Sequence, residues 1–178
     1  MRIAAIPPLA AYALASGCAF AQSVSAPPVA ANNWVVSETI SPIDYTPIVV
    51  AITPSRESQD SSAMQLTAYC RNGRTGLVVT GPAISGRGDD YAISYRISGD
   101  EPVQAAVGVP ALGTGVAFKG DIMRLLQSLP EEGNMVLRLV PRTGAASEGR
   151  FSLSGLKSVR EKLSGACRWP QAAAKPRN

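Results

Sequence analysis

Residues 67–80 read TAYCRNGRTGLVVT, and no other stretch narrows the fold as much. The run that leads into it, MQLTAYCR, alternates. Met64, Leu66, Ala68 and Cys70 share one face, and Gln65, Thr67, Tyr69 and Arg71 share the other. Alternation with a period of two is the signature of a half-buried strand. Asn72-Gly73 then favours a two-residue type I′ turn, which requires a positive φ at both central residues. In that register Arg71 faces Arg74 and Cys70 faces Thr75. Leu77 and Val79 fall on the same face as Cys70, because pairing fixes which side each residue takes. The sequence therefore predicts a β-hairpin with a cysteine on its buried side.

Three roles compete for Cys70. The chain has three cysteines and no histidine. A catalytic cysteine needs a base close by, most often His. Two thiols without His lack the usual zinc ligand set. The third role, a disulfide, depends on the compartment. Arg2 followed by IAAIPPLAAYALASGCAF and a small-x-small site in AFAQS reads as an export signal cleaved after Ala21. LASG before Cys18 also resembles a lipobox, with Ala15 where Leu is usual, so lipid attachment at Cys18 stands as a second reading. Either way the domain leaves the cytoplasm. With Cys18 removed or lipidated, Cys70 and Cys167 remain, and an exported domain with two cysteines most simply joins them. The bond closes a loop of about 100 residues, worth up to about 4–5 kcal/mol in the chain-entropy account.

The 178 residues suffice for one domain. After a signal peptide at 1–21, residues 22–33 (QSVSAPPVAANN) read as a flexible leader, 34–169 as the domain and 170–178 as a disordered tail. Strands are predicted at 34–38, 48–53, 64–71 and 74–80. Further strands are expected at 91–97, at 103–109 as its hairpin partner, in GVAF near 115–118, at 133–142 and at 149–154. DIMRLLQSL at 121–129 has helical spacing and stops at Pro130. SGLKSVREKLSGAC sets Leu156, Val159, Leu163 and Cys167 on one stripe, with Ser154 as its N-cap and Gly165 at its end. Several short antiparallel strands and two helices indicate a mainly β protein, an antiparallel β-sandwich of about seven or eight strands with two peripheral helices and one disulfide.

Little in the chain points to a reaction. Without histidine, Ser-His-Asp and Cys-His arrangements are excluded. Asp89-Asp90 and Glu131-Glu132 are neighbours in sequence, which point apart, and read as turn residues. No alternating Asp/Asn loop follows GDD, and no Lys-Ser/Thr completes a phosphate loop after GPAISGRG. No cofactor and no metal is expected. The net charge of +4 is spread along the chain and aromatics are 6%, which does not suggest nucleic-acid binding. Contact with a membrane is expected to be peripheral at most. Trp34 and Trp169 have two readings: packing beside the disulfide, or exposed partner-binding anchors.

WVVSETISPIDYTPIVVAI resembles the opening of the periplasmic proteins associated with type VI secretion, the VasI/TagO-like family. The likeness continues at LTAYCRNGRTGLVV, at YAISYRISGDEPV and at GRFSLSGLKSVREKLSGACRW, so it runs from Trp34 to Trp169. Tyr45 stands where members often have a second acidic residue, and VQAAVGV lacks the Trp that members often carry. The resemblance also implies a Cys70–Cys167 pairing and brings no catalytic residues. Its motifs single out Trp34, Ser41, Pro42, Asp44, Arg96 and Trp169. The expected function is a non-enzymatic periplasmic accessory protein that binds an envelope or secretion-apparatus protein through sheet edges or the loops at 41–47 and 82–90. The alternative is a binder, or weak hydrolase, of cell-wall glycan using Asp44, Asp89 or Asp90.

Overall fold

A computed structural model describes residues 30–31, 33–56, 63–82, 84–111 and 113–170. The expected signal peptide, most of the leader and nearly all of the tail lie outside these residues. Ala30–Ala31 (β1), expected as the end of the leader, pair antiparallel with Val35 and Trp34. β2 (Trp34–Ile40), β3 (Pro47–Pro54), β4 (Gln65–Arg71) and β5 (Arg74–Thr80) follow as an antiparallel meander.

The β4–β5 hairpin has the predicted register, with Arg71 opposite Arg74 and Cys70 opposite Thr75. Asn72 and Gly73 have φ of 50° and 68°, the two positive angles a type I′ turn needs. Val49, Ala51, Leu66, Ala68, Cys70, Leu77 and Val79 line one buried face of this sheet.

The chain then crosses to a second sheet for β6 (Tyr91–Ile97) and β7 (Val103–Ala105). Residues 103–109, expected as one strand, instead divide at Ala106. Val107–Gly108 (β8) returns to the first sheet and pairs with β9 (Val116–Phe118), which lies beside β5. The division has a local cause: the Ala106 carbonyl accepts from the Lys119 amide at 2.8 Å, joining the segment to the first sheet. Helix α1 (Ile122–Ser128) follows, capped by Asp121, whose Oδ1 accepts from the Arg124 amide at 2.9 Å. β10 (Asn134–Pro141) and β11 (Ser147–Ser152) complete the second sheet in the order β11-β10-β6-β7. With β1 and the divided segment there are eleven strands among the described residues, four of them only two or three residues long.

Helix α2 (Leu156–Cys167) has its N-cap one residue later than expected. Gly155, at φ 92°, takes the N-cap position, while the Ser154 amide donates to Ser152 Oγ at 3.3 Å. Gly165, expected at the helix end, lies within it; the left-handed residue that ends the helix is Arg168, at φ 50°. Leu156, Val159, Leu163 and Cys167 are buried as the stripe requires. The helix packs on the inner face of β2–β5, and the second sheet covers the rest of the core. Cys70 and Cys167 are bonded, with Cα atoms 5.7 Å apart.

Candidate contact surface

The six residues singled out by sequence do not form one site. Trp34 is 1% exposed and Trp169 is 8% exposed. Trp169 Nε1 donates to Thr75 Oγ1 at 2.7 Å, so the ring closes the core beside the disulfide. The reading of either tryptophan as an exposed anchor therefore falls, because burying a ring this large is worth more to the core than a polar handle is at the surface. Arg96 lies on the second sheet, where it meets Glu148 at 3.7 Å across a shallow hollow that Arg138 also lines.

Ser41, Pro42 and Asp44 do come together, on the turn between β2 and β3. Its backbone is closed by Ser41 N to Thr46 O at 2.9 Å and Tyr45 N to Ser41 O at 3.0 Å. Ser41 is buried, and its Oγ accepts from the Ile43 amide at 3.4 Å. Asp44 Oδ1 accepts from Thr46 Oγ1 at 2.9 Å and from the Thr46 amide at 3.3 Å. Hydrogen bonds from the side chains of Ser41 and then Thr46 hold the Asp44 carboxyl below its ordinary pKa, because they favour the charged form. Asp44 thus braces its own turn.

That bracing presents apolar residues outward. Ile43 is 87% exposed, Tyr45 81% and Ile40 64%. Tyr45 sits at φ 57°, a left-handed conformation that costs a non-glycine residue about 1 kcal/mol or more. Sequence reasoning named the loop but missed these three side chains. The signal was present in ISPIDYTP: Ile43 and Tyr45 flank Asp44 in a proline-bounded turn, where no core can reach them. β1 covers only Trp34 and Val35, so among the described residues the outer edge of β2 from Val36 to Ile40 carries no strand. A groove of about 430 Å³ runs between this hairpin and α2, lined by Ile40, Pro47, Gly165 and Ala166, and closed at one side by a Lys162–Glu38 ion pair of 2.7 Å.

The other loop named by sequence is polar. Tyr91 Oη accepts from the amides of Ser85 and Gly86, at 3.1 and 3.0 Å. Asp90 accepts from the Arg87 amide at 3.1 Å and meets Arg142 at 3.9 Å. Among the described residues no three His, Cys, Asp or Glu side chains gather as a metal site would need, and no helix is long and apolar enough to cross a membrane. In comparisons with known proteins, no family model, no curated protein and no solved structure matches the chain.

Proposed function

We propose that this protein is an exported, non-enzymatic interaction module of the cell envelope and that it meets a protein partner with the β2–β3 turn. The observation that carries this reading is the exposure of Ile40, Ile43 and Tyr45 on a turn whose backbone is held by its own hydrogen bonds. An exposed cluster of large apolar side chains is costly to keep in water and marks contact sites. A braced turn loses little freedom on binding, which leaves more of the contact energy as affinity. Tyrosine is among the residues that most often dominate such contacts.

The Cys70–Cys167 bond suits an oxidising compartment, and the apolar N-terminal run supplies the export reading. The resemblance to type VI secretion-associated periplasmic proteins supports looking for the partner among envelope or secretion-apparatus proteins.

The test is a photo-crosslinking residue at position 43, introduced into the full chain in intact cells. A discrete cross-linked protein, absent when the same residue stands at exposed Arg124, is expected. Cross-links only to glycan fragments would replace this reading with cell-wall binding. No cross-link above the Arg124 background would overturn it.

A further inference from the structure

The β4–β5 turn carries an unfavourable arrangement of charge. Arg71 and Arg74 stand directly opposite each other across Asn72-Gly73, and both are exposed. Like charges directly opposite in an antiparallel pair are destabilising. Nothing in the fold offsets this pair, for among the described residues neither arginine forms an ion pair.

Both line a cleft of about 640 Å³ between the hairpin and the segment around β9, and Lys119 lines it too. Among the described residues that line it there is no carboxylate. Asp89 Oδ1 and Lys119 Nζ would each fall 3.2 Å from a Cβ on Gly108, so this carboxylate stands near the lysine without forming an ion pair with it, and the two arginines carry the unbalanced charge. Gly76, which lines the cleft, and Gly108, which lies behind Lys119, leave room for two of its side chains. A Cβ on Gly76 would fall 2.2 Å from Tyr69 Cζ, and one on Gly108 would fall 2.4 Å from Lys119 Cε. The Tyr69 ring and the Lys119 stem are therefore laid against bare backbone. Phe118 and Val109 supply apolar wall.

We infer that this cleft binds a phosphate-class anion, a phosphomonoester dianion attached to a larger group. Two facing arginines, with no carboxylate among the described lining residues, suit a dianion, and a single carboxylate would leave one of them uncompensated. Two arginine forks match the several oxygens of a phosphate, and lysine adds a point charge. The apolar wall takes what the phosphate is attached to, and the volume is that of an ordinary small-molecule site. The same phosphate chemistry is offered by a lipid headgroup and by a soluble phosphate.

The test uses the full chain with its disulfide formed. Inorganic phosphate is titrated at constant ionic strength while backbone amide chemical shifts are followed. Saturable shifts are expected at Arg71, Gly73, Arg74 and Lys119. The Arg71→Gln/Arg74→Gln variant should bind at least about tenfold more weakly, since each lost charged hydrogen bond is worth that much. Arg138→Gln, on the other sheet, should change nothing. Both arginines are exposed, so the variant is expected to fold, and an unchanged near-ultraviolet spectrum checks it.

A second arm sediments the protein with phosphatidic acid vesicles and with phosphatidylcholine vesicles. Binding to the first alone, lost in the double variant, supports the site and assigns the phosphate to a lipid headgroup. Saturable free phosphate without vesicle binding supports the site and assigns a soluble source. Shifts that fail to saturate, spread equally to Arg124 and Arg142, or persist in the double variant overturn the inference.

Discussion

Replacing both bridged cysteines with alanine tests how the core is held. Cys70 and Cys167 are 97 residues apart in sequence, so their bond removes about 4.7 kcal/mol of chain entropy from the unfolded state at 25 °C. A domain of this size has a total stability of roughly 5–15 kcal/mol, so the bond is a large fraction of it. The helix has other attachments, however. Leu156, Val159 and Leu163 are each fully buried, and burial of such a side chain is worth about 1.5–3 kcal/mol. Trp169 adds its hydrogen bond to Thr75. The Cys70→Ala/Cys167→Ala protein is thus expected to fold, with Tm lower by roughly 10–20 °C. The slope of urea unfolding should rise, because the unlinked denatured chain exposes more surface. Thermal and urea unfolding, followed by near-ultraviolet circular dichroism of Trp34 and Trp169, read both quantities. A loss below about 1 kcal/mol with an unchanged slope would refute the loop-closure reasoning. A protein with no near-ultraviolet signal at any temperature would refute the claim that α2 holds without the bond.

Four further outcomes are expected. Arg160, whose side chain is 18% exposed, donates to the carbonyls of Leu126, at 2.7 Å, and Leu129 near the end of α1; Arg160→Met should lower stability by about 2–4 kcal/mol in urea unfolding, as two charge-assisted bonds are lost. A Cβ on Gly88 would fall 2.0 Å from the backbone oxygen of Gly108, where no side chain can swing aside, so Gly88→Ala should lower the urea midpoint by the equivalent of about 1–3 kcal/mol. Asp44 has a folded pKa below its ordinary 3.8, so the stability it contributes is present above that value and fades as pH falls through the lower, folded one; the Thr46 amide shift should follow this titration, and Asp44→Asn should abolish it. Tyr45→Gly removes left-handed strain but gives the unfolded chain more freedom, so stability should stay within about 1 kcal/mol of the parent while cross-linking from position 43 is lost.

Elements whose information is local were legible in the sequence. The β4–β5 hairpin declared its strands, its turn and its register in fourteen residues, because alternation and Asn-Gly act over a few bonds. The α2 stripe was equally plain. Part of what failed depended on distant partners. Residues 103–109 have strand composition throughout, and only the bond from Lys119 to Ala106 decides that the segment serves two sheets. Ser154 is a good capping residue in isolation, but Gly155 can adopt the left-handed angle at the helix start and takes the cap position.

The contact surface was half legible for a related reason. A motif names positions, whereas exposure is a property of the assembled fold. Trp34 and Trp169 could be read from sequence as core residues beside the disulfide or as exposed anchors, and the core claims both. Ile43 and Tyr45 looked like ordinary loop residues until the turn closed around Asp44. The facing arginines were visible from the register alone, but their significance needed the cleft they line. Register also relates the two sites. Val49 pairs with Cys70, so the 41–46 turn and the 72–73 turn leave the same end of an antiparallel sheet. The disulfide brings Arg168, which follows Cys167, to that end as well. One end of the molecule thus joins an apolar turn to a cleft with two facing arginines. Loss of the disulfide would loosen α2 there first, and should weaken cross-linking at the proposed contact surface before it unfolds the sheet.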